Sequence, residues 1–140
     1  MAAAAGKYLK KTVLELGGSD PFIILEDADL ATAAKVGAMA RNQNNGQSCI
    51  AAKRFIVVEQ VADQFERLFA DAVQDLVFGN PLEKNVQVGP LARADLRVDL
   101  ERQVAASVKL GARVLTGGAA HHGPGYFYRP TVVAGARPGM

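Results

Sequence analysis

A single cysteine, Cys49, lies in the run Asn44-Asn45-Gly46-Gln47-Ser48-Cys49. An alanine-rich helical pattern precedes it and an apolar strand pattern follows. With no second cysteine there is no internal disulfide, so the placement raises the question of reactivity. A thiol attacks as its thiolate, which needs oriented amides, a helix N-terminus or nearby positive charge. Gly46 permits a backbone turn that side chains block, and it can bring successive N–H groups toward one point. Amides so placed stabilise both the thiolate and the oxyanion formed when it attacks a carbonyl. Free cysteine is also among the most buried residue types, so the spacing alone leaves a packed hydrophobe as the other reading.

The second chemical signal is upstream. Thr12-Val13-Leu14-Glu15-Leu16-Gly17-Gly18 sets a carboxylate inside a β-type apolar run that ends in two glycines. In a strand, Glu15 shares a face with Val13 and Gly17, and partial desolvation makes its carboxylate a better base. A strand-end carboxylate paired with Lys10, Lys11 or Arg54 is the other reading. A nucleophile and a base on adjacent strand ends make covalent catalysis coherent, since sheet enzymes gather their sites at the carboxyl ends of strands.

Positioning such a pair requires strands and helices in alternation. Strands are predicted at Thr12–Leu16, Phe22–Leu25, Arg54–Glu59, Arg113–Thr116 and Thr131–Val133. Residues 1–11 read as the end of a helix, with Lys7, Lys10 and Lys11 where positive charge suits a helix C-terminus. After Asp29, a plausible N-cap, Leu30, Ala33, Ala34, Gly37 and Ala40 recur at helical spacing, and their small size predicts close packing. Val61, Phe65, Leu68, Phe69, Ala72 and Leu76 form a stronger stripe; Leu96, Leu100, Val104 and Val108 form a third, closed by Gly111 as a C-cap glycine. This alternation predicts an α/β fold with a largely parallel sheet flanked by helices on both faces. Gly79 to Pro90 and Gly117 to Gly125 read as surface connections.

Composition narrows the function. The 140 residues are 49% hydrophobic, enough for one compact domain or a piece of a larger one, and 16 basic against 14 acidic residues form no stripe for a polyanion. Nucleic-acid binding is disfavoured. No apolar stretch approaches the roughly 20 residues that span a bilayer and the start lacks a secretion signal, so the expectation is a cytoplasmic protein without a membrane partner. His121-His122 has no suitably spaced carboxylate or cysteine, so no metal site is predicted. Tyr126, Phe127 and Tyr128 read as core or edge-strand aromatics.

Glu15-Leu16-Gly17-Gly18, then Pro21-Phe22-Ile23 and Glu26-Asp27-Ala28-Asp29-Leu30, then Gly46-Gln47-Ser48-Cys49, together resemble the aldehyde dehydrogenase superfamily. The resemblance continues through Gly79-Asn80-Pro81-Leu82, Gly89-Pro90-Leu91, Gly111-Ala112-Arg113, Gly117-Gly118 and Gly125-Tyr126-Phe127 with Pro130-Thr131, and so covers essentially the whole chain. Within the superfamily, Ser19-Asp20-Pro21-Phe22-Ile23, Ala51-Ala52-Lys53-Arg54-Phe55-Ile56-Val57 and Ala92-Arg93-Ala94-Asp95-Leu96-Arg97 resemble the bacterial succinate-semialdehyde dehydrogenases.

The resemblance implies a catalytic Cys49 that attacks an aldehyde, with the oxyanion held partly by its own backbone N–H, and hydride transfer to NAD or NADP. It implies that Glu15 activates the water that cleaves the thioester. Leu16 and Gly17 would lie near the nicotinamide, and Gln47 and Ser48 would shape the substrate pocket. An arginine that grips the substrate carboxylate in the better-known branch is replaced by Gln43 here; Arg41, in an extended segment, would point to the same side and is the candidate substitute. Residues 1–11 resemble the tail of a helix from a nucleotide-binding domain, and 12–140 resemble a catalytic domain truncated at its C-terminal side. The family's glycine–serine cofactor turn and the asparagine that supplies its second oxyanion donor have no counterpart here. The expectation is therefore that this polypeptide alone neither binds dinucleotide tightly nor oxidises aldehydes, and that the parent protein is a homo-oligomer. Two rivals stand beside this reading. One is an enzyme in which coenzyme A cleaves the thioester, which Glu15 in its motif opposes. The other is a non-catalytic domain that keeps the fold.

Overall fold

The computed structural model describes residues 1–140. Its elements in chain order are α1 (Ala2–Lys7), β1 (Asp20–Ile24), α2 (Leu30–Asn42), a 3-10 turn (Gln43–Gly46), β2 (Ala52–Val57), α3 (Glu59–Gln74), α4 (Ala94–Lys109), β3 (Arg113–Thr116) and β4 (Val132–Ala134). Strand β1 runs parallel to β2, with Phe22 opposite Phe55, Ile23 opposite Ile56 and Ile24 opposite Val57. Helix α2 makes the crossover that a parallel pair requires.

Helix α2 starts at Leu30 because Asp29 caps it. The Thr32 N–H donates to the Asp29 carboxylate at 3.1 Å and the Thr32 hydroxyl donates at 2.7 Å. Its buried face consists of Leu30, Ala34, Gly37 and Ala38. Small residues are needed there: a Cβ on Gly37 would stand 2.8 Å from a Phe55 ring carbon and 3.3 Å from Phe69. The helix thus lies directly on an aromatic cluster in which Phe55 and Phe69 are 4.3 Å apart and Phe65 and Phe69 are 5.4 Å apart, centroid to centroid. Ile24, Leu30, Ala34, Ala38, Phe65, Phe69, Val73 and Val132 form the core. Helix α4 closes as its sequence predicts. Gly111 takes φ +103°, donates its N–H to Val108, and Ala112 donates to Ser107, so two terminal carbonyls are satisfied.

The structure corrects several expectations. Thr12–Leu16 forms no strand, and residues 11–19 are exposed throughout. A strand exists only where a neighbouring backbone completes its hydrogen bonds, and none lies beside this run. The α/β class holds and β1–β2 is parallel, but β3 and β4 form a separate antiparallel pair. Helices cover one face of β1–β2, while Ile23, Leu25 and Ile56 on the other face are at least half exposed. Strand β2 begins two residues before its predicted start and β1 also starts two residues early, at Asp20. The Gly79 to Pro90 connection is also more than a surface loop, because Val88 and Gly89 are buried.

Candidate active site

The chain leaves α2 through three successive left-handed residues, Asn44 (φ +49°), Asn45 (φ +58°) and Gly46 (φ +74°). Asparagine tolerates this conformation better than most residues. Glycine is favoured at position 46 because φ +74° strains residues with side chains, and a Cβ there would also displace the Arg41 guanidinium. A turn follows in which the Ala51 N–H donates to Ser48 at 3.1 Å, and Cys49 sits exposed at its tip.

Two cations hold the backbone of this turn. Arg41 donates to the Gly46 carbonyl through Nη2 and to the Ala52 carbonyl through Nη1 at 3.2 Å, so it ties the entry of the turn to its exit. Burial lowers the Arg41 pKa from its ordinary value. Lys53 Nζ donates to the carbonyls of Ser48 at 3.2 Å, Cys49 at 3.3 Å and Ala51 at 3.2 Å.

The glutamate segment meets the cysteine turn through backbone. A Cβ on Gly18 would lie 3.3 Å from the Cys49 carbonyl oxygen, and Arg54 donates to the Ser19 carbonyl at 2.8 and 3.2 Å. Gly18 is three positions beyond Glu15, so the two Cα atoms are within about 11 Å of each other. The Glu15 carboxylate is exposed and forms no ion pair with Lys10, Lys11 or Arg54. The expected strand face shared with Val13 and Gly17 therefore does not exist, and the packing that would desolvate the carboxylate is not supplied by these residues. The cavity between α2 and α3 and the one between α4 and β4 are lined by residues other than Glu15 and Cys49.

The predicted substrate contacts divide. Gln43 Nε2 donates to the Ser48 hydroxyl at 3.4 Å, which places two neutral polar groups together near the turn. The Gln47 side-chain carbonyl accepts from the Ala92 N–H at 3.0 Å, so only its NH₂ is left for a ligand. Arg41 does not lie in an extended segment. It belongs to α2, where residues two apart point to nearly opposite sides, and its guanidinium is turned to the two backbone carbonyls.

Leu16 is 86% exposed, and open space surrounds the position where Gly17 would carry a Cβ. Both positions are therefore uncovered. Asn45 went unnoticed in the sequence. Its side chain accepts from the Gly89 N–H at 2.6 Å and donates to the Pro90 carbonyl at 3.1 Å, docking the 79–92 loop onto the cysteine turn. The Asn-Asn-Gly run signalled the turn but not this distant partner. His121 packs edge-on against Phe78 with centroids 5.4 Å apart, and Tyr128 is buried.

The profile of the aldehyde dehydrogenase family matches residues 1–140. The probable NADP-dependent succinate-semialdehyde dehydrogenase of Synechocystis sp. is 51% identical over 98% of this chain and 30% of its own length. The NAD(P)-dependent succinate semialdehyde dehydrogenase Sad of Escherichia coli is 49% identical over 100% of this chain and 30% of its own length. The crystal structure of succinate-semialdehyde dehydrogenase from Burkholderia pseudomallei superimposes with a TM-score of 0.93 at 37% identity, covering 99% of this chain and 29% of that one. The chain thus spans about three-tenths of the length of the curated relatives it matches.

Proposed function

Because the chain belongs to the aldehyde dehydrogenase family, we propose that it carries the nucleophile and the base for oxidation of an aldehyde to a carboxylic acid. Succinate semialdehyde is the substrate that its relatives' names favour. The observation that supports this reading best is the contact between the two motifs: Gly18, three residues beyond Glu15, packs on the carbonyl of Cys49.

In the proposed reaction the Cys49 thiol first loses its proton to solvent, the thiolate sulfur forms a bond to the aldehyde carbon, and the carbonyl π pair moves onto oxygen. The Cys49 N–H donates to that oxyanion. The hydride leaving the former aldehyde carbon would need an acceptor, the chemistry that NAD or NADP would supply when bound. Leu16 and Gly17 supply the nicotinamide contact, and the thioester remains on Cys49. Glu15 then takes a proton from water, the resulting hydroxide attacks the thioester, and the acid leaves as the C–S bond breaks.

The free carboxylate of succinate semialdehyde is assigned to the neutral donors Gln43 and Ser48 with the Gln47 NH₂, since Arg41 is engaged by backbone. The remaining walls of the cofactor site are assigned to polypeptide outside these residues, and the isolated chain is proposed to be inactive. The test is aldehyde-dependent reduction of NAD and NADP by the complete gene product, with succinate semialdehyde compared against uncharged aldehydes of similar length. Cys49→Ser should abolish turnover, and Glu15→Gln should leave a burst of reduced cofactor equal to one enzyme equivalent followed by slow turnover. Full steady-state activity in either variant removes that residue from its role.

A further inference from the structure

Lys53 has no part in the chemistry above, yet its ammonium sits at the centre of the cysteine turn. An ammonium has three N–H donors and no acceptor. Here all three have partners, the carbonyls of Ser48, Cys49 and Ala51, at 3.2 to 3.3 Å. The group is thereby committed to backbone.

The Ser48 carbonyl and the Cys49 N–H belong to one planar peptide unit. The chain contains no cis peptide, so the C=O and N–H bonds of that unit point in opposite directions. Drawing the Ser48 oxygen toward Lys53 therefore turns the Cys49 N–H away from it. That N–H donates to no other backbone group in the protein. A cation on the carbonyl end also polarises the unit and strengthens its N–H as a donor. Arg41 fixes the flanking carbonyls of Gly46 and Ala52, so the turn cannot rotate as a whole to relieve this orientation.

We propose that Lys53 is a positioning residue that aims the Cys49 N–H outward as the oxyanion donor, acting through the Ser48–Cys49 peptide. The inference rests on the reading of Cys49 as a nucleophile toward carbonyl carbon. It specifies what Lys53 affects: attack on carbonyl carbon, where negative charge develops on oxygen, and not attack on saturated carbon, where none does.

That difference supplies the test. Cys49 is acylated with p-nitrophenyl acetate, in which the sulfur bonds the acyl carbon and p-nitrophenolate leaves. In parallel it is alkylated with iodoacetamide, in which the sulfur displaces iodide and no oxyanion forms. For Lys53→Met, acylation is expected to slow by about 10- to 100-fold, somewhat less than loss of a whole oxyanion donor. Alkylation, with both reactions compared on the high-pH plateau where the thiol is fully ionised, should stay within about twofold, because no oxyanion forms in it and the loss of the cation then no longer alters the thiolate fraction. Lys53→Gln keeps two N–H donors and should give an intermediate ratio, and it carries the test if the Met variant does not fold.

Equal slowing of both reactions would mean that the turn has collapsed, and would overturn the proposal. Unchanged acylation would overturn it too, as would a wild-type Cys49 that alkylates but does not acylate. The dehydrogenase reading fails separately, if the complete gene product keeps aldehyde oxidation in Cys49→Ser. The acylation-to-alkylation ratio would still decide the role of Lys53 in that case. If both readings hold, Lys53→Met in the complete gene product lowers kcat by a similar factor and leaves KM within about twofold, since only the developing oxyanion loses its donor.

Discussion

Replacing Arg41 with Met tests whether that side chain braces the cysteine turn. Methionine keeps most of the aliphatic stem and removes the guanidinium, so the change isolates the two bonds to the Gly46 and Ala52 carbonyls. A hydrogen bond from a charged donor contributes about 1.5–3 kcal/mol. The site is half-buried, so water recovers part of that loss, and the lower end applies to each bond. The expected destabilisation is about 2–4 kcal/mol, a large fraction of the roughly 5–15 kcal/mol that holds a small domain together. With an m-value of about 2 kcal/mol per molar urea, the unfolding midpoint should fall by about 1–2 M. The assay is urea unfolding of the 140-residue chain followed by circular dichroism. Arg67→Met, at an exposed position of α3, serves as the control and should shift stability by less than about 0.5 kcal/mol. If Arg41→Met behaves like that control, the guanidinium is not bracing the turn, and a direct substrate contact becomes the better account of Arg41.

Gly37→Val should destabilise the chain by about 1–3 kcal/mol in the same unfolding assay, because the added side chain enters space held by the Phe55 and Phe69 rings. An unchanged midpoint would show that α2 does not lie directly on those rings. Asp29 has its pKa lowered first by the Thr32 hydroxyl and then by the Thr32 N–H, so its stabilisation of α2 is present above the usual carboxylate value of 3.8 and is lost as pH falls through the lower folded value. Asp29→Asn should flatten that part of the acid unfolding curve, and a curve of unchanged slope below pH 3.8 would refute the assignment. Cys49 is exposed, so an aromatic disulfide reagent should titrate one thiol per folded chain without denaturant; a thiol that reacts only on unfolding would contradict the exposed turn.

Local pattern carried much of the architecture. The N-cap at Asp29, the stripe from Val61 to Leu76 and the glycine cap at Gly111 are decided by neighbours within a turn or two, and α2, α3 and α4 form where those signals lie. Four of the five predicted strands formed, Arg113–Thr116 with the predicted ends and the other three with shifted ones. The failure at Thr12–Leu16 is instructive, because its composition is as strand-like as that of β1. Composition says that a run can pair, whereas only a partner in space decides that it does.

The residue types and their order, by themselves, determined the family, the candidate nucleophile and the candidate base, since Glu15-Leu16-Gly17-Gly18 and Gly46-Gln47-Ser48-Cys49 are covalent patterns that survive without coordinates. Tertiary structure alone decided the work of the polar side chains around them. Arg41, expected in an extended segment, lies on α2 with its guanidinium bonded to two backbone carbonyls, Lys53 is bonded to three, and Asn45 docks a distant loop. A carbonyl is present at every residue, so nothing in the chain's lettering marks which ones a cation will find. That choice depends on where the backbone turns, and the turn is settled only when α2, β2 and the 79–92 loop have packed together.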